Sequence, residues 1–145
     1  MKLKWWPRDP KPGDLIRMRV GAVYHYGVFV SEAEVIQFGL PPVNLFRDES
    51  RIEVCATDID TFACGNIVET ADPGRKRLPP EKSIALARGR LGEKGYSLLH
   101  NNCEHFATEC VLGERFCEEA VAARRRWQKW QQGRKSRAEE ENLDR

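Results

Sequence analysis

Apolar and polar residues alternate from Asp14 to Val20, with Ile16, Met18 and Val20 on one side and Arg17 and Arg19 on the other. A period of two is that of a half-buried strand. Gly21-Ala22 turns the chain, and Tyr24-His25-Tyr26-Gly27-Val28-Phe29-Val30 predicts a second strand from its β-branched and aromatic content. The polar run Ser31 to Glu34 predicts a turn, Val35-Ile36-Gln37-Phe38 a third strand, and Gly39-Leu40-Pro41-Pro42 its end. Ahead of these strands, residues 1–13 read as an extended lead-in of prolines and basic residues. Between 43 and 78 the pattern weakens. Arg51 to Val54 and Asn66 to Glu69 are short strand candidates, with a helical turn at Asp60 to Ala63 between them.

At Pro79-Pro80 the period changes to that of a helix, whose first turn tolerates proline. Ile84, Ala87 and Leu91 give it an apolar stripe, and Gly92 ends it. Tyr96 to Leu99 leads into a second helix starting near Asn101. A third is predicted from about Glu114 to Gln132, with Phe116, Ala120, Ala123, Trp127 and Trp130 on one stripe. Strands followed by helices predict an α+β domain, a small antiparallel sheet packed on helices, over residues 1–113. A C-terminal amphipathic helix then occupies 114–132 and a solvated tail 133–145.

Composition narrows this picture. A hydrophobic fraction of 41% in 145 residues suits one packed core. With 24 basic against 22 acidic residues, the net charge of +2 gives no reason to expect nucleic acid as a partner. No stretch approaches the ~18 apolar residues of a membrane span, and no apolar leader region follows Met1-Lys2-Leu3-Lys4. The five cysteines are an odd number and include no C-x-x-C pair, which argues against a zinc ribbon or a thioredoxin-type motif. A cytoplasmic, reducing setting is expected, in which free thiols persist. Neither a metal nor another cofactor is expected.

The segment Asn101-Asn102-Cys103-Glu104-His105-Phe106 carries the candidate chemistry. Asn101 can serve as N-cap, with Glu104 three residues on completing a capping box. Cys103 then sits at the second helical position, where backbone N–H groups and the helix dipole favour thiolate over thiol. Asn101, Asn102 and Glu104 thus form a helix N-terminus suited to an oxyanion as well. The same local pattern also fits a buried structural cysteine. Cys110 and Cys117 follow at intervals of seven and read as core.

A thiol nucleophile needs a base, and there are three histidines. His105, two residues on, points ~200° around the helix from Cys103 and reads as a packing or hydrogen-bonding residue. His100 lies in the preceding loop, with nothing to orient it. His25 lies mid-strand. With a three-residue turn at 31–33, Gln37 falls opposite Gly27 and diagonal to His25 on the same face. A two-residue turn would separate them. Across the bare Gly27, the Gln37 carbonyl could accept from one ring N–H and leave the other nitrogen to take a proton. Nucleophile, base and orienter would then be Cys103, His25 and Gln37.

Pro12-Gly13-Asp14-Leu15-Ile16, Tyr24 to Val30, Val35-Ile36-Gln37, Arg90-Leu91-Gly92 and Tyr96 to Phe106 together resemble the lecithin:retinol acyltransferase (LRAT) family. That family is a circularly permuted branch of the papain-like, NlpC-type thiol superfamily. The resemblance covers residues 12 to about 113. It implies acyl transfer through a Cys103 thioester with His25 as base, an acyl donor such as a phospholipid, and an amine or water as acceptor. Peptidases or amidases of the wider superfamily, and a binding module with an inactive Cys103, are the alternatives. Two departures stand out. Gln37 occupies a position usually held by histidine, and no apolar anchor like that of the eukaryotic members occurs in these 145 residues. Between Val121 and Arg137, seven basic residues and no acidic one occur beside two tryptophans. This is either a solvated face of a docked helix or a peripheral contact with anionic membrane.

Overall fold

A computed structural model describes residues 3–40, 49–74, 76–97 and 102–115. The predicted C-terminal helix beyond Arg115, the basic stretch 121–137, Cys117, His100 and Asn101 lie outside the described residues.

The strands are β1 (Lys4–Trp6), β2 (Leu15–Val20), β3 (Val23–Ser31), β4 (Glu34–Phe38), β5 (Val54–Thr57) and β6 (Val68–Asp72), and the helices α1 (Ile59–Ala63), α2 (Pro80–Gly89) and α3 (Cys103–Leu112). The six strands form one sheet in the order β1-β6-β2-β3-β4-β5, every adjacent pair antiparallel. The fold is α+β, as the pattern of strands then helices predicts.

Alternation divides the sheet into two faces. Leu15, Tyr26, Val28, Ile36, Phe38 and Val54 meet Ala87 of α2 and Phe106, Ala107, Cys110 and Val111 of α3 in the larger core. Ile16, Met18, Phe29 and Val35 form a smaller core on the other face, closed by Phe62 of α1. At ~1.5–3 kcal/mol for each large apolar side chain removed from water, the larger cluster dominates folding.

Several elements depart from the sequence expectation. The lead-in contains a strand, because Lys4, Trp5 and Trp6 pair with Asp72, Ala71 and Thr70. Arg17 holds that edge: its guanidinium lies 4.1 Å from the Trp5 ring centroid and 3.8 Å from that of Tyr24, with Glu69 at 3.1 Å. The strand candidates at 51–54 and 66–69 are displaced. Glu49–Arg51 is a 3-10 turn, and the two strands begin at Val54 and Val68. Leu91 is not part of the α2 stripe, since the helix ends at Gly89 and Leu91 is 44% exposed. The buried face of α2 is Ser83 and Ala87.

The Pro12-Gly13-Asp14 turn docks α2. Asp14 accepts from Arg77 Nη1 at 2.8 Å and from the Lys11 N–H, and Arg77 also donates to the Gly13 carbonyl. Gly13 has φ +88°, and a Cβ there would lie 2.7 Å from the Pro80 Cα. At the far end of α3, the Leu78 N–H bonds the Val111 carbonyl. Phe106 reaches within 6.2 Å of Phe38, the last residue of β4. The N-terminus of α3 is therefore directed toward the end of the sheet formed by the start of β3 and the close of β4.

Gly13→Ala is expected to destabilise the fold by about 1–3 kcal/mol, because both the left-handed backbone and the Pro80 contact oppose a side chain. Urea unfolding measures it, and an unchanged midpoint would show that this turn does not fix α2.

Candidate active site

His25 is the third residue of β3, paired with Met18 of β2, and it emerges on the face closed by Phe62. Gly27 pairs with Gln37 of β4, so Gln37 lies on that face, diagonal to His25. The hairpin tip holds only two residues, Glu32 and Ala33, but the register shifts between Phe29 and Ser31. That bulge supplies the extra residue that keeps Gln37 on the His25 side.

The ring Nε2 of His25 and Oε1 of Gln37 are 2.8 Å apart. Gln37 is fully buried, and its Nε2 donates to Thr57 Oγ1 at 2.6 Å. Thr57 in turn donates to the Asp58 carbonyl at 3.1 Å. Phe62 lies over the imidazole with ring centroids 5.4 Å apart. It fits there because residue 27 has no side chain: a Cβ would stand 2.9 Å from Phe62 Cε2. This enclosure pushes the His25 pKa down from 6.5 to about 4, burial outweighing the opposing hydrogen bond from Gln37. At neutral pH the ring is uncharged and able to accept a proton.

Cys103 is the first residue of α3 and is buried. The cap is Asn102, one residue later than the expected Asn101. Its Oδ1 accepts from the Glu104 and His105 N–H groups at 3.0 and 3.1 Å. The box is closed by His105, not Glu104, with Nδ1 accepting from the Asn102 N–H at 3.2 Å. An imidazole nitrogen serves as well as a carboxylate there, which the Asn101–Glu104 spacing concealed. The cap engages two of the donors expected to face an oxyanion. The positive end of the helix remains beside the sulfur. His105 is thus a hydrogen-bonding residue of the cap.

The other described thiols sit in less favourable places. Cys110, in the core, is pushed up to about 12 by burial. Cys55, opposite Gln37 on β5, is raised first by burial and then by Glu53. Cys64 is exposed.

The structure brings His25, Gln37 and Thr57 together, and separately places Cys103 on a capped helix at the same end of the sheet. Cys103 packs with the core under α3, and the hydrogen-bond partner of the His25 ring is Gln37. Thr57 and Phe62 were not anticipated. Both act on this face through the register of β5 and the docking of α1, long-range placements that leave no local signal even where the helical turn itself is legible.

Residues 8–116 match the sequence profile of a family described as lecithin retinol acyltransferase. A phospholipase A and acyltransferase 1 of Rattus norvegicus is 30% identical over 132 residues, spanning 81% of this chain and 77% of the relative. A phospholipase A and acyltransferase 4 of Homo sapiens is 25% identical, with 81% and 79% covered. A lecithin retinol acyltransferase of Mus musculus is 30% identical over 74% of this chain and 57% of its own length.

The His25 environment makes a titration prediction. Below pH 6.5 the unfolded imidazole takes up a proton that the folded one refuses until about pH 4. This contribution to stability is present above pH 6.5 and is lost as the pH falls toward 4, amounting to roughly 3 kcal/mol. NMR of the ring should give a midpoint near 4, and Phe62→Ala should move it toward 6.5. A wild-type midpoint at 6.5 would contradict the enclosure described.

Proposed function

The chain belongs to the lecithin retinol acyltransferase family, and we propose that it transfers acyl groups through a thioester on Cys103, with His25 as general base and Gln37 as its orienter. The observation that carries this reading is the His25–Gln37 bond. With the Gln37 carbonyl accepting from Nε2–H, the neutral ring keeps Nδ1 unprotonated and available to a thiol.

The reaction runs in two halves. Cys103 sulfur attacks the carbonyl of an acyl ester while its proton passes to Nδ1 of His25. The tetrahedral intermediate collapses, the ester oxygen leaves with that proton, and a thioester remains. Water or an amine then attacks the thioester, gives a proton to His25, and releases the acid or amide. The sulfur recovers its proton. The positive end of α3 favours the negative charge that develops beside Cys103. This arrangement is the papain-like, NlpC-type one in permuted order, strands before the nucleophile helix.

Sulfur and ring must meet in the reacting complex. Both stand at one end of the sheet, and the reading requires them to meet there. The names of the relatives support a phospholipid as donor. The chain would work in the cytoplasm on a membrane surface. No helix among the described residues is long and apolar enough to cross a bilayer, and contact is assigned to the basic stretch 121–137. The burial of His25, which leaves its ring a weak base, favours a second reading, in which the domain binds acyl lipids without turning them over.

Incubation with phosphatidylcholine micelles, read by mass spectrometry, separates the two. Catalysis predicts an acyl adduct on Cys103 that disappears in Cys103→Ser. His25→Ala should lower turnover by ~10²–10⁴-fold and slow the alkylation of Cys103 by iodoacetamide. Gln37→Ala should lose roughly tenfold, because it removes one hydrogen bond to the base, and Gln37→His should keep or raise activity. Alkylation of Cys103 at the same rate with and without His25, and no adduct, would leave the binding module as the reading.

A further inference from the structure

Gln37 presents a difficulty that a histidine at this position would not. The two ends of an amide have opposite polarity but nearly the same shape, so a half-turn exchanges them. With the carbonyl toward His25, the ring carries its proton on Nε2 and offers Nδ1 as base. With the NH2 group toward His25, the ring must accept at Nε2 and hold its proton on Nδ1, where it cannot take one from a thiol. Gln37 is fully buried, so water does not decide between these states.

Thr57 is the residue in a position to decide. Its Oγ1 lies 2.6 Å from Gln37 Nε2, on the amide's far side from the 2.8 Å contact with His25. Its own proton goes to the Asp58 carbonyl at 3.1 Å, a group that can only accept. With that proton committed, the hydroxyl oxygen accepts from Gln37. The NH2 end is thereby drawn to Thr57 and the carbonyl end left to His25. Asp58 is held in turn, because its side chain caps α1 by accepting from the Thr61 N–H at 2.7 Å and its carbonyl accepts from the Phe62 N–H. The polarity runs one way along the series, from the Asp58 carbonyl through Thr57 and Gln37 to the Nε2–H of His25.

We infer that Thr57 is a positioning residue for acyl transfer, setting the amide of Gln37 and through it the tautomer of His25. The catalytic role of His25 in this inference rests on the reading given above, whereas the hydrogen-bond series does not. Thr57 need not touch substrate or sulfur. Its contribution is the removal of a competing, unproductive orientation.

The test uses the full chain with 15N-labelled histidine. Wild-type His25 at pH 7 should show a protonated Nε2 and a bare Nδ1. Thr57→Val, which keeps the shape and removes the hydroxyl, should introduce the Nδ1–H form and lower kcat on phosphatidylcholine micelles by roughly three- to tenfold, the effect of one net hydrogen bond. KM should change little. Thr57→Ser should restore both the single tautomer and the rate, which a purely structural role of the threonine methyl would not allow. If Thr57→Val folds and keeps the Nε2–H form alone, Thr57 does not set the amide and the inference falls, whatever the activity of Cys103. Should Cys103→Ser remain active, the catalytic reading fails instead, and the nitrogen spectra still decide whether Thr57 sets the tautomer.

Discussion

The pairing of Gly27 with Gln37 across β3 and β4 is the constraint from which the rest of this site follows. It puts a glutamine diagonal to His25. It also leaves, at residue 27, a space one side chain deep that Phe62 fills. A one-residue slip would send Gln37 to the α3 face and bring Ile36 or Phe38 out in its place. The register is held from three sides. The bulge near Ser31 sets it at the hairpin, Gln37 opposite Cys55 continues it into β5, and Val35 and Ile36 are committed to two different cores. A sheet buried on both faces cannot shift without unburying both.

The same constraint gives His25 its chemical character. Phe62 and the surrounding apolar residues remove the ring from water, which favours its neutral form. Gln37 can direct a proton but cannot stabilise an imidazolium by charge. Burial therefore outweighs the hydrogen bond from Gln37, which acts in the opposite direction. The result is an imidazole that is neutral at physiological pH and takes a proton reluctantly. In the proposed reaction, such a ring suits a proton held briefly, between its departure from sulfur and its delivery to a leaving oxygen. It suits a long-lived thiolate–imidazolium pair less well.

Much of this arrangement can be read in the sequence. The strands β2, β3 and β4 follow from alternation alone, because each has one face in a core and the period of two survives in the residue types. Cys103 and His25 stand out because a thiol at a helix start and a histidine in mid-strand between two tyrosines are chemically uneven. What could not be read depends on distance along the chain. The strand β1 forms from three residues whose partners lie near Asp72 and whose clamp is Arg17, and nothing in Lys-Trp-Trp encodes that pairing. The strands β5 and β6 begin two or three residues later than expected, because the preceding polar residues resemble strand edges. The cap was displaced by one residue because Asn101 and Asn102 are chemically alike, and His105 can close a box as Glu104 can. Thr57 is one of several threonines until the register of β5 brings it to Gln37.

A glutamine at position 37, in place of a histidine, changes what the neighbouring structure has to do. An imidazole can serve a second imidazole as acceptor through either nitrogen once its tautomer adjusts, so it carries its own means of adaptation. An amide has no such freedom: its oxygen and nitrogen are fixed, and only rotation interchanges them. A glutamine in this place therefore moves the choice of polarity to whatever touches its far end. Here that contact is a hydroxyl whose proton is already committed to a carbonyl at the start of α1. The orientation of the base is thus tied to the loop that positions Phe62, the residue that also keeps the base dry. One short element after β5 then governs both properties on which the proposed proton transfer by His25 would depend, the tautomer it presents and the pH at which it is neutral.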